Sequence, residues 1–282
     1  MRTILHLSDL HFGRVDPDLL DPLRAVAREA APDLVVVSGD LTQRARRAEY
    51  KAARAFLDTL SAPRIVVPGN HDVPLYNIFS RLFRGLARYK RYITDDLEPF
   101  YADDTIAVLG INTARSLAIA GGRVSPQQIA SIKARMCGLG RSVVKVLVTH
   151  HPFDLPEGSV HQDIVGRARE AMTAIAGCGV DVILSGHLHL IHTGHSAERF
   201  EVGGHSTLIV QAGTATSTRG RGEQNSFNVL RLTHQHIEVE RRVWHEASGA
   251  FAASSREIFA RTPAGWVRPP PSQGVPADLR DL

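Results

Sequence analysis

The sequence predicts an α/β fold in which sheets are covered by helices. Two observations predict it: β-branched apolar runs that each end in polar or glycine residues, and helical patterns lodged between them. The strand candidates run from Thr3 to Leu7, Leu34 to Ser38, Arg64 to Pro68, Thr105 to Ile111, Val143 to Thr149 and Asp181 to Ser185. Helical patterns occupy Pro17 to Ala30, Arg46 to Leu60, Ser125 to Cys137 and Ile164 to Ala176, the first and third with proline near the first turn. After Leu190 the character changes to short extended runs, Thr207 to Ala212, Phe227 to Leu232 and Ile237 to Val243. These predict added antiparallel strands, the last two forming a hairpin through Thr233 to His236. Proline and glycine crowd the chain from Pro263 onward, so residues 1–262 are expected to form the domain. Residues 263–282 are expected to form a tail that lies over the surface or is partly disordered.

With 282 residues, 43% of them hydrophobic, the chain has ample material for a buried core. Its apolar runs fall far short of the roughly 20 residues that span a bilayer. The start, Met1-Arg2-Thr3-Ile4, lacks the sustained apolar stretch of a secretory signal, so a cytoplasmic location is expected. Cys137 and Cys178 lie near helix ends without C-x-x-C spacing and are expected to be reduced packing residues. The net charge of +4 suits an anionic substrate but equally describes an ordinary solvated surface.

Loops at the carboxyl ends of strands gather distant residues into one crevice. Five such loops carry metal-ligand chemistry: Asp9-Leu10-His11, Gly39-Asp40, Gly69-Asn70-His71-Asp72, His150-His151-Pro152 and Gly186-His187-Leu188-His189. Among 14 histidines, one such pair is expected by chance; five in order, each directly after a strand, are not. A lone aspartate after a strand is usually a cap or turn former. His6, His161, His192, His195 and His205 share no loop pattern and are taken as packing or surface residues.

In this order the motifs resemble the calcineurin-like metallophosphoesterase superfamily, over residues 9 to 189. The resemblance implies a four-layer sandwich of two mixed β-sheets flanked by helices, with a helical cap insertion at about 74–104. It implies that Asp9, His11 and His189 hold one metal ion, that Asn70, His150 and His187 hold the other, and that Asp40 bridges them. His150 rather than His151 is the implied ligand. Gln43 stands where the superfamily's protein phosphatases carry an acidic residue. The Gly39-Asp40-Leu41-Thr42 string is instead similar to bacterial class III cyclic nucleotide phosphodiesterases and related glycerophosphodiesterases.

The implied reaction is hydrolysis of a small anionic phosphodiester by a metal-bridged hydroxide, with a 3',5'-cyclic nucleotide such as cAMP as leading substrate. The alternatives are a glycerophosphodiester, a UDP-linked lipid precursor, DNA cleavage, or a non-catalytic binding scaffold. A stable nucleic acid complex is not expected. Nitrogen and oxygen ligands without thiolate favour two divalent or mixed-valence ions of manganese, iron, zinc or cobalt. Two such ions outweigh the charges of Asp9 and Asp40 and leave a centre that attracts a phosphodiester.

Further roles are assigned around that centre. His71 is positioned to protonate the leaving alkoxide, and Asp72 to orient a histidine or to cap a turn. Arg44 is a candidate phosphoryl contact, and Asn112 a candidate pocket residue. Leu75, Ile78, Phe79, Leu82, Leu86, Tyr89 and Ile93 recur at helical spacing beside Arg81, Arg84, Arg88, Lys90 and Arg91. This basic helix over 75–93 reads as a lid, a contact with a membrane surface, or a plain solvated face or dimer contact.

Overall fold

The computed structural model describes residues 1–75, 81, 85–115, 121–155, 164–189, 192–195, 206–219, 222–269 and 276–279. Alternation within the first strand already sets the layering. In β1 (Arg2–Leu7), Ile4 enters one apolar cluster while Leu5 and Leu7 enter another, because successive side chains leave opposite faces of a sheet. β2 (Leu34–Val37) repeats the pattern, Val36 inward and Val35 and Val37 outward, and β3 (Arg64–Val66) pairs beside it in parallel. The outward residues pack against α1 (Leu20–Ala30), α2 (Arg47–Leu57) and α3 (Ala87–Tyr92).

The second sheet does the same. Its strands are β4 (Phe100–Ala102), β5 (Ile106–Gly110), β6 (Val144–Val148), β7 (Val182–Ser185), β8 (His192–His195) and β9 (Leu208–Gln211). Val108, Val146, Val182 and Val210 join Ile4, Val36 and Ile65 in the core between the sheets. Leu109, Leu147, Ile183 and Ile209 face α4 (Pro126–Met136) and α5 (Ala168–Gly177). The result is helix, sheet, sheet, helix, the four-layer sandwich expected from the motifs. α4 starts where the sequence signals it: Ser125 accepts from Gln128 N, the Gln128 side chain accepts from Ser125 N, and Pro126 takes the first helical position.

The first sheet is completed by β10 (Ser226–Leu232), β11 (His236–His245), β12 (Ala250–Thr262) and β13 (Gly265–Val267), in the order β13-β12-β11-β10-β1-β2-β3. The second runs β4-β5-β6-β7-β9-β8. β10 and β11 form the expected hairpin.

Four expectations are corrected. β9 pairs parallel with β7, and antiparallel only with the short β8. The segment from Pro263 is not wholly a tail: β13 extends the sheet and buries Trp266, whose indole N–H donates to Asp181 at 3.0 Å. Cys137 and Cys178 form a disulfide. Each directly follows a helix, and the two helices, packed side by side, bring their ends to a Cα separation of 4.1 Å across 41 residues, a proximity that local spacing does not reveal.

The continuous basic helix is interrupted as well. Gly85 and Leu86 form a turn, after which α3 lies against α2, with Tyr92 stacked on Tyr50 and the Tyr89 hydroxyl donating to Val66 O. Arg81 is buried, and Arg88 donates to Ala45 O, so neither is a plain solvated charge. Ile78, Phe79, Leu82 and Arg84 lie outside the described residues. Among the described residues, no helix is long and apolar enough to cross a membrane.

Candidate metal centre

The parallel strands of both sheets deliver the motif residues to one edge. β1 leads to Asp9 and His11, β2 to Asp40, β3 to Asn70, His71 and Asp72, β6 to His150 and His151, and β7 to His187 and His189. Neighbouring loops are stitched together: Asp9 N donates to Gly39 O (3.1 Å), His11 N to Asp40 O (2.9 Å) and His187 N to Asp9 Oδ2 (3.0 Å). The last bond joins the two sheets at the site.

Two clusters result. In one, His150 Nε2 and His187 Nδ1 each lie 3.1 Å from Asn70 Oδ1 and 3.3 Å from each other. In the other, His11 Nε2 lies 3.1 Å from His189 Nε2, which is 3.2 Å from Asp9 Oδ1. The Asp40 carboxylate stands between them, Oδ1 3.5 Å from His150 Nε2 and Oδ2 3.7 Å from His11 Nε2.

The tautomers follow from the outer contacts. His150 Nδ1 is 2.8 Å from Ser38 O and His189 Nδ1 is 3.2 Å from Arg219 O. A carbonyl only accepts, so each Nδ1 carries the hydrogen and each Nε2 turns its lone pair into its cluster. Asp9 Oδ1 and His11 Nδ1 are buried without a hydrogen-bond partner, while Asp9 Oδ2 accepts from the Ser8 hydroxyl at 2.6 Å. Lone pairs converging about 3 Å apart in a buried place repel unless a cation lies among them, so these residues fit metal ions held by nitrogen and oxygen donors. Burial works against a charged His150, but the Asp40 and Asp9 carboxylates overcome it and push the imidazole up to about 9, a mark of how strongly the site calls for positive charge.

Backbone strain is concentrated here. Asp9, His11, Asp40, His187 and His189 all have left-handed backbone, with φ of 52°, 48°, 52°, 75° and 58°. Such conformations cost on the order of 1–3 kcal/mol each and persist only where surrounding contacts over-determine them. Two motif glycines are required by close approach. A Cβ on Gly69 would stand 2.1 Å from Asp40 Oδ1 and 2.4 Å from Asp40 N, and one on Gly186 would stand 1.8 Å from Ser8 Oγ.

The remaining predicted residues divide. His71 is half-buried at the cleft, its ring 4.9 Å from that of His11, and its backbone N–H donates to Asp40 Oδ1 at 2.8 Å. Its Nδ1 donates to Gln43 O (2.9 Å), which leaves Nε2 as the nitrogen that can exchange a proton; burial holds its pKa below the usual histidine value.

Asp72 bonds the loops rather than a histidine. Oδ1 accepts from Thr42 N and Thr42 Oγ1 (both 2.9 Å), and Oδ2 accepts from Leu41 N (3.1 Å) and Gly69 N (3.0 Å), so the carboxylate clamps two loops. Burial and the neighbouring Asp40 charge push it up to about 6, against the four donors that favour its ionised form.

Arg44 is exposed, and its backbone N–H donates to Glu49. The Asn112 side chain is buried and its Oδ1 accepts from Ala114 N at 2.9 Å. His151 sits with Nδ1 on the Thr113 hydroxyl at 2.8 Å and its ring against that of His187. His6 bonds Ser38 and Asn228 in the core, and His192 lies 3.6 Å from Asp154; His161, His205 and the His195 side chain lie outside the described residues.

A sixth loop, not signalled by any motif, completes the edge. It follows β9 and wraps the Asp9 loop: the hydroxyls of Thr214 and Thr216 donate to Asp9 O (2.7 Å) and Leu10 O (2.9 Å). It ends at Arg219, whose guanidinium donates to His71 Nε2 at 3.0 Å. Because β9 runs parallel to β7, its carboxyl end opens on the site, the signal that an antiparallel reading of the Thr207 to Ala212 run conceals.

The family model described as calcineurin-like phosphoesterase matches residues 2–190. A glycerophosphodiester phosphodiesterase, GpdQ, of Enterobacter lignolyticus (strain SCF1) is 30% identical over 174 residues, 57% of this chain and 60% of that protein. The chain therefore spans well under two thirds of that relative's length. A probable cyclic nucleotide phosphodiesterase, syc0937_d, of Synechococcus sp. is 30% identical over 204 residues, covering 66% of this chain and 73% of the other. Among solved structures, a dimetal phosphatase from Danio rerio aligns with a TM-score of 0.63 at 14% identity, over 89% of this chain and 98% of that one, a likeness of fold.

Proposed function

The chain belongs to the calcineurin-like phosphoesterase family and is a metal-dependent phosphoesterase, and from that premise we propose that it is a binuclear phosphodiesterase whose leading substrate is a 3',5'-cyclic nucleotide. One observation carries the binuclear reading: two separate clusters of inward lone pairs share the Asp40 carboxylate, which stands between them. In this reading Asp9, His11 and His189 hold one ion, Asn70, His150 and His187 the other, and Asp40 both. The contact of His150 Nε2 with Asn70 Oδ1 supports His150 as the ligand, with His151 close enough to share that cluster. When bound, two divalent ions supply Lewis acidity and lower the pKa of coordinated water.

The chain's own groups do the rest. Ser38 O and Arg219 O fix the tautomers of His150 and His189, and the Gln43 carbonyl fixes that of His71. His71 then offers a single nitrogen, Nε2, which must itself take up a proton from solvent before it can deliver one to the departing oxygen. Phosphodiester chemistry is supported by two relatives, one a glycerophosphodiester phosphodiesterase and one a probable cyclic nucleotide phosphodiesterase.

The experiment is elemental analysis of the purified protein, followed by manganese, iron, zinc or cobalt reconstitution and a panel of cAMP, cGMP, glycerophosphodiesters, a UDP-linked lipid and DNA. The expected result is close to two ions per chain, both lost in Asp40→Ala, with cyclic nucleotide turnover that chelation abolishes. Full activity without transition metal overturns the binuclear reading, and preference for a glycerophosphodiester reassigns the substrate.

A further inference from the structure

Arg219 makes two contacts, of which binding a metal accounts only for the second. Its guanidinium Nη1 donates to His71 Nε2 at 3.0 Å, while its own backbone carbonyl accepts from His189 Nδ1 at 3.2 Å. The backbone at this point is firmly held. Arg219 N bonds the Ser217 hydroxyl (3.0 Å), and Asn225 Nδ2 donates to the carbonyls of Ser217 (2.9 Å) and Thr214 (3.3 Å). The half-buried side chain therefore projects from a fixed root to the edge of the cleft beside His71.

A guanidinium carries five donors in a planar fork that matches two oxygens on one phosphorus or carbon, and it stays charged at all working pH values. Spending one donor on the lone pair of a neutral imidazole is a poor use of that group. It also occupies the nitrogen through which His71 exchanges a proton, since Nδ1 is committed to Gln43 O. A phosphodiester brings one negative charge and two non-bridging oxygens, a better partner for the fork than an imidazole.

We propose that Arg219 anchors the substrate: its guanidinium takes a non-bridging oxygen of the phosphodiester and, in moving there, withdraws the N–H that occupies His71 Nε2. One residue thereby ties substrate occupancy to access to His71 Nε2. Its position after β9 also makes it a determinant of specificity, because it selects for an anion that offers paired oxygens. This inference rests on the phosphodiesterase reading above and adds to it a residue that none of the five motifs contains.

The test compares wild type with Arg219→Gln and Arg219→Lys. Inorganic phosphate binding to the manganese-loaded proteins is followed by calorimetry, and hydrolysis of bis(4-nitrophenyl) phosphate gives KM and kcat. Arg219→Gln is expected to weaken phosphate binding and raise KM about 10- to 100-fold, the effect of removing a charge-assisted hydrogen bond, with metal content at the wild-type level. Arg219→Lys keeps the charge without the fork and recovers only part of that loss. In metal-free protein the His71 ring-nitrogen resonances are expected to shift in Arg219→Gln, because Nε2 loses its donor. Phosphate affinity and KM equal to wild type in Arg219→Gln would overturn the anchoring role, and a fall in kcat alone would reduce Arg219 to a positioning residue for His71. Were the wild type to cleave no diester while phosphate binding still depended on Arg219, the substrate reading would fall and the anchor would stand.

Discussion

Asp72→Asn separates a loop clamp from a histidine orienter. The carboxylate of Asp72 receives four donors, two on each oxygen, at 2.9–3.1 Å: Thr42 N, Thr42 Oγ1, Leu41 N and Gly69 N. An amide retains one carbonyl oxygen, so its NH2 must face one of these pairs. Placed toward Leu41 and Gly69, it confronts two backbone N–H groups. Placed toward Thr42 it confronts one, because the threonine hydroxyl can turn to His71 O, 3.2 Å away. The cheaper arrangement orphans one buried N–H, a cost of about 1–3 kcal/mol, and removing the charge adds no further loss because burial and Asp40 already disfavour the ionised form. Urea unfolding of metal-free protein at pH 8, above the raised Asp72 pKa of about 6, measures it directly. Metal affinity should fall as well, since the clamped loops carry Asp40 and Asn70. A stability change under about 0.5 kcal/mol together with a large drop in kcat would refute the clamp and restore the histidine-orienting role.

Three further outcomes are expected. His71→Ala should keep wild-type metal content while kcat falls about 10²–10⁴-fold for a diester with an alkoxide leaving group and much less for an aryl diester, and equal losses for both would reject the proton donor. Thiol titration of the unreduced, denatured chain should find no free cysteine, and reduction of the Cys137–Cys178 bond, which closes a loop of 41 residues, should lower stability by about 4 kcal/mol; two titratable thiols would contradict the bridge. Burial lowers His6 from 6.5 to about 3, so the folded state refuses a proton that the unfolded chain takes up below pH 6.5. Stability from this group is thus present above pH 6.5 and lost as pH falls toward 3. Between pH 7 and 5 wild-type stability should drop by about 2 kcal/mol more than that of His6→Gln, and parallel curves would exclude His6 as the source.

The strands that carry the site were legible because they are short β-branched runs buried on both faces, each followed by a polar loop. Less legible was everything that depends on pairing rather than on local pattern. β12 mixes alanine, serine and charged residues, and its 13 residues are held in the sheet chiefly by the long ladder with β11. That ladder also explains how Glu238 and Glu240 are wholly buried within a strand: Arg231, Arg242 and Arg256 neutralise them from neighbouring positions. The same limit governed the site. The candidate ligands follow from residue type and order, whereas Asp72 as a clamp and Arg219 as a cleft residue follow from which backbone groups the loops bring near, which no single motif encodes.

The placement of the strained residues has a physical consequence for the site. Five of the motif residues occupy left-handed backbone, and each of the loops they belong to is bonded to another loop rather than merely to its own strand. His11 N reaches Asp40 O, His187 N reaches the Asp9 carboxylate, and the Asp72 carboxylate gathers Leu41, Thr42 and Gly69. At Asp40 the backbone carbonyl accepts from His11 N while the carboxylate accepts from His71 N, so backbone and side chain of one residue serve different loops. Such an arrangement is held by many modest hydrogen bonds, and its rigidity does not depend on the ions alone. Asp9 and Asp40 come from the first sheet, His150, His187 and His189 from the second, and the valine-rich core between the sheets fixes their separation. The spacing of the donors within each cluster is therefore a property of sheet packing, which makes the inter-sheet core as much a part of the site's geometry as the loops that display it.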